Sequence, residues 1–407
     1  MNKVILNICL FFILTNITYA QKANFKTGTP KVKNYYTEIK YKNLKGKIII
    51  PVTINNKTYN FLFDTGAPNL ISKNIWEKIN SKSIKSISIS DANQKKQDMV
   101  LATIPMLTLG NVTFKNTSTL VFTGENNLLF DCYKIDGIIG SNLLRKSIVQ
   151  IKSKDELIIL TNNTKKLQLE AANKSKLTLV GKQSSPYINI NLKGESSGSE
   201  ILLIDLEFIL LFDTGASGFY DLNKRHFETF DKKNITQTLS KANGSSSVGL
   251  FGVANKSEQY RIRVAELKIN NYVFKNVISI TGNDNNSRIG SDILDYGIVT
   301  LDFRKKLFYF EGYKSVVDLN EKLLGFSPTI ENNKLVVGFV WDDSLKDKIE
   351  FGDEIIEINE INIQENDICD LITKKSLFED YAILNFTFIN PKGKKTKLTL
   401  KRELNGK

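Results

Sequence analysis

A repeated phrase does most to limit how this chain can fold. Asn60-Phe61-Leu62-Phe63-Asp64-Thr65-Gly66-Ala67 returns as Leu210-Leu211-Phe212-Asp213-Thr214-Gly215-Ala216. In each copy an apolar, β-prone run ends at a glycine turn and leaves a carboxylate at the strand tip. The correspondence continues in order. Ser90-Asp91-Ala92-Asn93 matches Ser240-Lys241-Ala242-Asn243, and Leu107 to Asn116 matches Leu267 to Asn276. Ile138-Ile139-Gly140-Ser141-Asn142-Leu143-Leu144 matches Arg288-Ile289-Gly290-Ser291-Asp292-Ile293-Leu294, which puts Gly140 76 residues after Asp64 and Gly290 77 after Asp213. Each half closes on a strand pair, Ile148-Val149-Gln150-Ile151 with Leu157 to Leu160 and Ile298-Val299-Thr300-Leu301 with Leu307 to Phe310. One supersecondary unit is therefore written twice, and two tip carboxylates in matched settings predict one shared site.

The side-chain inventory narrows the chemistry. The chain has one histidine, His226, in the charged segment Asn223-Lys224-Arg225-His226-Phe227, which reads as an exposed helix start. Ser-His-Asp and Cys-His catalysis would rest on that imidazole, and zinc sites built on two or three histidines are excluded. Of three cysteines, Cys9 lies in the leader described below, and Cys132 and Cys369 fall in different domains, so no disulfide framework is expected. Carboxylates are what remains for hydrolysis.

The first twenty residues read as an export signal: Lys3, an apolar run from Val4 to Ile17, and Ala20 before a cut at Gln21. That run is short for a membrane span and no later stretch is longer, so no stable span is expected after cleavage. The formal net charge is +13, but the lysines are scattered, without the dense basic block or interleaved aromatics of a nucleic-acid site. No nucleic-acid partner is expected.

The domain reading is 1–20 signal peptide, 21–43 tail or pro-segment, 44–160 first lobe, 161–176 linker, 177–313 second lobe and 322–403 a third unit. Helices are expected only at Lys73 to Asn80 and after Gly140 in the first lobe. The second lobe carries an insertion, Lys193 to Ser199, and a glycine-rich stretch, Gly244 to Gly252, whose Gly249, Phe251 and Gly252 are candidates for a flap over a substrate. The equivalent first-lobe stretch, Asp91 to Val100, is rich in Lys and Gln and is expected to cover less.

The two Asp-Thr-Gly-Ala phrases, each followed by a hairpin and by Ile-Ile-Gly or Arg-Ile-Gly, resemble the retropepsin-type aspartic protease repeat. Two repeats in one chain resemble the bilobal, pepsin-like arrangement over about residues 44–313. The resemblance implies a predominantly all-β fold of two barrel lobes. It makes Asp64 and Asp213 the catalytic pair, with Thr65 and Thr214 locking the tips and Gly66 and Gly215 letting backbone N–H groups reach the carboxylates. It implies a polypeptide substrate, water activated by carboxylates sharing one proton, and neither metal nor organic cofactor. Ala67 and Ala216 stand where pepsins carry Ser or Thr, which predicts an optimum at mildly acidic to near-neutral pH. Residues 322–403 resemble a PDZ domain, with Leu324-Gly325-Phe326 as the loop that takes a peptide's carboxylate. The chain thus reads as an exported, periplasmic or extracellular aspartic endopeptidase with a peptide-docking domain. A second reading is an inactive peptide-binding protein using that domain and the inter-lobe groove, and a third pairs lobes between chains.

Overall fold

The computed structural model describes residues 24–125, 127–194, 205–245, 248–374 and 381–404. The predicted export signal, most of the 193–199 insertion and positions 246–247 of the glycine-rich stretch lie outside them. The described residues are mostly β, in two large sheets, a smaller one and short ribbons.

The first lobe begins with the hairpin Lys47–Ile54 and Lys57–Asp64, turned through Asn55 and Asn56, both at positive φ (49° and 61°). Two asparagines in that conformation make the tight turn that matches strand twist. The returning strand then passes between two apolar layers. Phe61 and Phe63 enter the main core, and Leu62 enters a second cluster with Leu70, Leu120 and Ile138. Burial on both faces is why it reads as an unbroken apolar run rather than an alternating one. Each large side chain so buried contributes roughly 1.5–3 kcal/mol. The strand Gly137–Gly140 pairs in parallel with it, Leu62 beside Ile138 and Asp64 beside Gly140. In the second lobe Asp205–Phe212 takes the same place, with Leu211 beside Arg288 and Phe212 beside Ile289.

The halves join through their closing hairpins. Ile148–Lys152 pairs antiparallel with Gly297–Asp302, placing Gln150 opposite Thr300, and Gln150 Nε2 donates to Thr300 Oγ1 at 3.0 Å. Those residues are counterparts in the repeat, so the approximate two-fold axis runs between them. One main core continues through both lobes.

Three features differ from the sequence reading. Residues 24–43 are built into the fold: Tyr36–Lys40 pairs with Leu157–Thr161, Thr29–Pro30 pairs with Phe114 and Lys115, and Tyr35 is buried. A helix at Leu128–Tyr133 was not expected; Asn127 caps it, its Oδ1 accepting from Leu129 N and Phe130 N. Within the 161–176 segment the chain makes two single-turn helices, and the strand Lys174–Val180 then joins the inter-lobe sheet beside Leu307–Gly312.

The third unit has its own apolar core and a sheet ordered Phe326–Glu331, Lys334–Val340, Glu354–Ile358, Ile383–Ile389, Lys395–Lys401, with the helix Ile368–Thr373. That helix packs on Leu128–Tyr133, and Cys132 and Cys369 are disulfide-bonded with Cα atoms 4.6 Å apart. The expectation of no disulfide is therefore corrected: the cysteines lie 237 residues apart in sequence, but the third unit folds back against the first lobe. Replacing both cysteines by serine is expected to lower stability by about 2–5 kcal/mol, since the bond closes a very long loop. Urea unfolding with and without reductant checks this, and coincident curves would refute it.

Candidate active site

Sequence and turn geometry bring the two tips together. Thr65 and Thr214, fully buried, exchange hydrogen bonds across the halves: Thr65 Oγ1 donates to Phe212 O (2.7 Å) and accepts from Thr214 N (3.1 Å). Thr214 Oγ1 donates to Phe63 O (2.8 Å) and accepts from Thr65 N (3.1 Å). Four bonds among buried groups fix the tips rigidly, because breaking any one strands a polar atom in the core. The Asp64 and Asp213 carboxyls face one another across the tips, each close to the other half's glycine turn. Asp64 Oδ1 also accepts from Gly66 N (2.8 Å) and Ala67 N (3.0 Å), and Asp213 Oδ1 from Gly215 N (3.0 Å). Glycine is required at both turns for a reason beyond N–H access. A Cβ on Gly66 would lie 2.5 Å from the Asp213 carboxyl carbon, and one on Gly215 would lie 2.2 Å from that of Asp64.

Two cations complete the site, one from each half. Continuing the hairpin registers places Lys47 opposite Asp64 and Ser185 opposite Asp213. Lys47 Nζ donates to Gly215 O. At the related place in the other half, the neutral Gln183 Nε2 donates to Gly66 O at 3.0 Å. Arg288, its side chain 10% exposed, puts Nη1 2.8 Å from Asp213 Oδ2. Its Nη2 pairs with Asp284, and its Nε faces Asp221 at 3.7 Å.

These charges are unevenly shared. Burial pushes the Asp64 carboxyl up to about 8, with the Asp213 charge and the hydrogen bond to it acting the same way and Lys47 and the Gly66 N–H opposing. Asp213 instead meets a guanidinium. Two buried carboxyls this close cannot both ionise cheaply, so the pair shares one proton. Burial also raises Asp221, to about 6, against the opposing Arg288 charge. Its side chain is nonetheless 48% exposed, so the protein packed around it, rather than loss of all solvent contact, is what raises it.

The other predicted site residues lie elsewhere. Gly249, Phe251 and Gly252 form the small ribbon Val248–Gly249 with Gly252–Val253, set between the long strands Gln237–Gly244 and Ser257–Ile269. Its tip crosses to the first lobe, where Phe251 N donates to Asp91 Oδ2 (2.9 Å) and Asn127 Nδ2 donates to Leu250 O (2.8 Å). The first-lobe turn at Asp91 thus anchors the flap candidate rather than standing apart from it. Leu324 and Phe326 point into the third unit's core, and Gly325 O accepts from Trp341 N and Asp342 N. Arg261 of the flap strand donates to Leu324 O at 3.1 Å and lies over the Trp341 ring. His226 is partly buried, with Nδ1 2.8 Å from Ser287 Oγ and its ring edge-on to Phe208, rather than exposed.

Lys47, Arg288 and Asp221 were missed as site residues. The trace in the sequence was Arg288 itself, an arginine where the first copy has Ile138 in an otherwise apolar strand.

Residues 50–143 match the family model described as Aspartyl protease, which gives the first lobe an aspartic protease fold. Among solved structures the chain is similar to the aspartic proteinase from Irpex lacteus, at 14% identity, covering 69% of this chain and 98% of that one with a TM-score of 0.43. It is also similar to conglutin gamma, a basic 7S globulin from lupine seeds, at 13% identity, covering 69% and 95% with a TM-score of 0.39. A retropepsin-like aspartic protease from Rickettsia conorii matches at 24% identity, covering 31% and 92% with a TM-score of 0.24. No curated protein matches the chain.

Proposed function

We propose that the chain is an exported aspartic endopeptidase that hydrolyses peptide bonds with water activated between Asp64 and Asp213. The observation that carries this reading is a facing carboxyl pair, one member from each half, locked by Thr65 and Thr214 and with a cation at Asp213. In this mechanism the ionised member of the pair takes a proton from the attacking water, and the protonated member hydrogen-bonds the peptide carbonyl oxygen as it gains charge. The tetrahedral species collapses when the amine leaves with a proton, and no covalent enzyme intermediate forms. The hairpin that ends in Gly249 to Gly252 closes the cleft from the second lobe onto the Asp91 turn.

The third unit is the docking element in this proposal. Phe326–Glu331 is one of the two edge strands of its sheet, a position at which an extended polypeptide can add as a further strand. With the Leu324 and Phe326 side chains in the core, only loop backbone is left to meet a terminal carboxylate. Residues 1–20 supply the export signal, and among the described residues no helix is long and apolar enough to cross a membrane.

The test is digestion of an unfolded protein by the chain without residues 1–20 across pH 3 to 10. Hydrolysis is expected with a basic limb near pH 8, where Asp64 loses its proton. Stability shifts in the same direction. Asp64 is protonated in the folded state over a range where the unfolded carboxyl, near 3.8, is ionised, so folding weakens as pH rises from about 4 through about 8. A sharp maximum at strongly acidic pH, or no hydrolysis, would overturn the reading.

A further inference from the structure

The two walls of the cleft are built from the same repeat but not from the same chemistry. The parallel pairings Leu62 with Ile138 and Leu211 with Arg288 put Ile138 and Arg288 in equivalent seats. The antiparallel pairings Leu70 with Ile138 and Asp221 with Arg288 do the same for Leu70 and Asp221. Beside Asp64, then, the cross-strand pair is Leu70 and Ile138, both buried in an apolar cluster. Beside Asp213 it is Asp221 and Arg288. Strand alternation decides which way Asp221 points: Tyr220 and Leu222 on either side are buried in the lobe's core, so Asp221 shares the face of Arg288, whose guanidinium reaches the dyad.

Arg288 is already engaged. Its two terminal nitrogens pair with Asp213 and Asp284, and the Nε to Asp221 distance of 3.7 Å is beyond hydrogen-bond range. Its side chain is 10% exposed, whereas that of Asp221 is 48% exposed. The charges do not balance either. Among the described residues, the carboxylates Asp213, Asp221, Asp284 and Asp292 gather around the cations Lys47 and Arg288 that act on Asp221. A carboxylate is left open on one wall of a cleft that carries excess negative charge.

We infer that the cleft selects a basic side chain on the side of the scissile bond that faces the second lobe, read by Asp221, with no matching charge on the first-lobe side, where the equivalent Leu70 and Ile138 are buried. This rests on the endopeptidase reading above and specifies its substrate class. A lysine or arginine gives Asp221 a charge-assisted partner. An apolar side chain would cover that carboxylate without replacing its water, and an acidic one would be repelled. Because Asp221 is half-exposed, the discrimination expected is that of one charge-assisted contact.

The experiment uses internally quenched peptides in which each of the two residues flanking the scissile bond is, in turn, lysine or its apolar isostere norleucine. The wild-type chain is expected to favour lysine by about tenfold or more in kcat/KM at one flanking position only. Asp221→Asn should bring that ratio to about one, and Asp221→Leu should reverse it. A ratio near one in the wild type, the same preference at both positions, or a preference that survives both substitutions would overturn the inference while leaving the endopeptidase reading in place. If no peptide is cleaved, that reading falls, and equilibrium binding of the same peptides to Asp64→Asn decides the inference: tighter binding of the lysine peptide sustains it, and equal affinities refute it.

Discussion

Asp64→Asn and Asp213→Asn are each expected to abolish the proposed peptide hydrolysis, by at least about 10³- to 10⁴-fold, while the fold stays intact. The size follows from the division of labour. One carboxyl must be ionised to accept the proton of water and the other protonated to polarise the carbonyl, so either substitution removes a step that general acid–base catalysis accelerates by about 10²- to 10⁴-fold and also the coupling between them. Asparagine keeps the shape and one acceptor oxygen, so Gly66 N and Gly215 N retain their partners. The measurement is single-turnover hydrolysis of an unfolded protein beside the thermal unfolding midpoint of each variant. If one substitution inactivates and the other leaves the rate within tenfold, the two carboxyls do not act as a unit.

Arg288→Leu carries the second large effect, on stability and activity together. The guanidinium pairs with Asp213 and Asp284 from a nearly inaccessible position, and removing it leaves the buried Asp213 carboxylate without its cation and near two other acids. Breaking a buried pair from one side costs about 3–5 kcal/mol, far more than the pair contributes relative to an apolar substitute. The dyad responds too. Without the cation, ionising the first carboxyl becomes harder, so the acidic limb of the pH–rate profile moves upward. Arg288→Lys restores the charge but not the fork and recovers part of both effects. Urea unfolding at pH 7 and a pH–rate profile check this, and a stable variant with an unchanged acidic limb would show that Asp213 does not depend on the arginine.

The duplicated architecture was legible because its signals are local. A strand covered on both faces must be apolar throughout, as in Phe61 to Phe63, and its stop at Asp-Thr-Gly marks the tip. The mutual bonding of Thr65 and Thr214 and the closeness demanded of Gly66 and Gly215 belong to the same phrase. What escaped was set by distance. The helix Leu128–Tyr133 is one and a half turns long, too short for a periodic signal, and shows itself only through the Asn127 cap. The pairing of Cys132 with Cys369 depends on how the third unit packs on the first lobe, which no spacing encodes. Tyr36–Lys40 looked like a tail because its polar, tyrosine-rich composition suits an edge strand as well as a loop. Arg288 was visible as a letter, but its role required knowing which carboxylates it would meet.

The axis between Gln150 and Thr300 has a consequence for the polarity of a bound chain. A groove made of two identical halves would receive an extended peptide equally well in either N-to-C direction. Here the equivalent seats hold buried Leu70 and Ile138 in one half and Asp221 and Arg288 in the other, so in the proposed cleft the two directions would differ in energy. Joining the halves in one polypeptide allowed each copy to diverge, and the cleft gained a sense of direction.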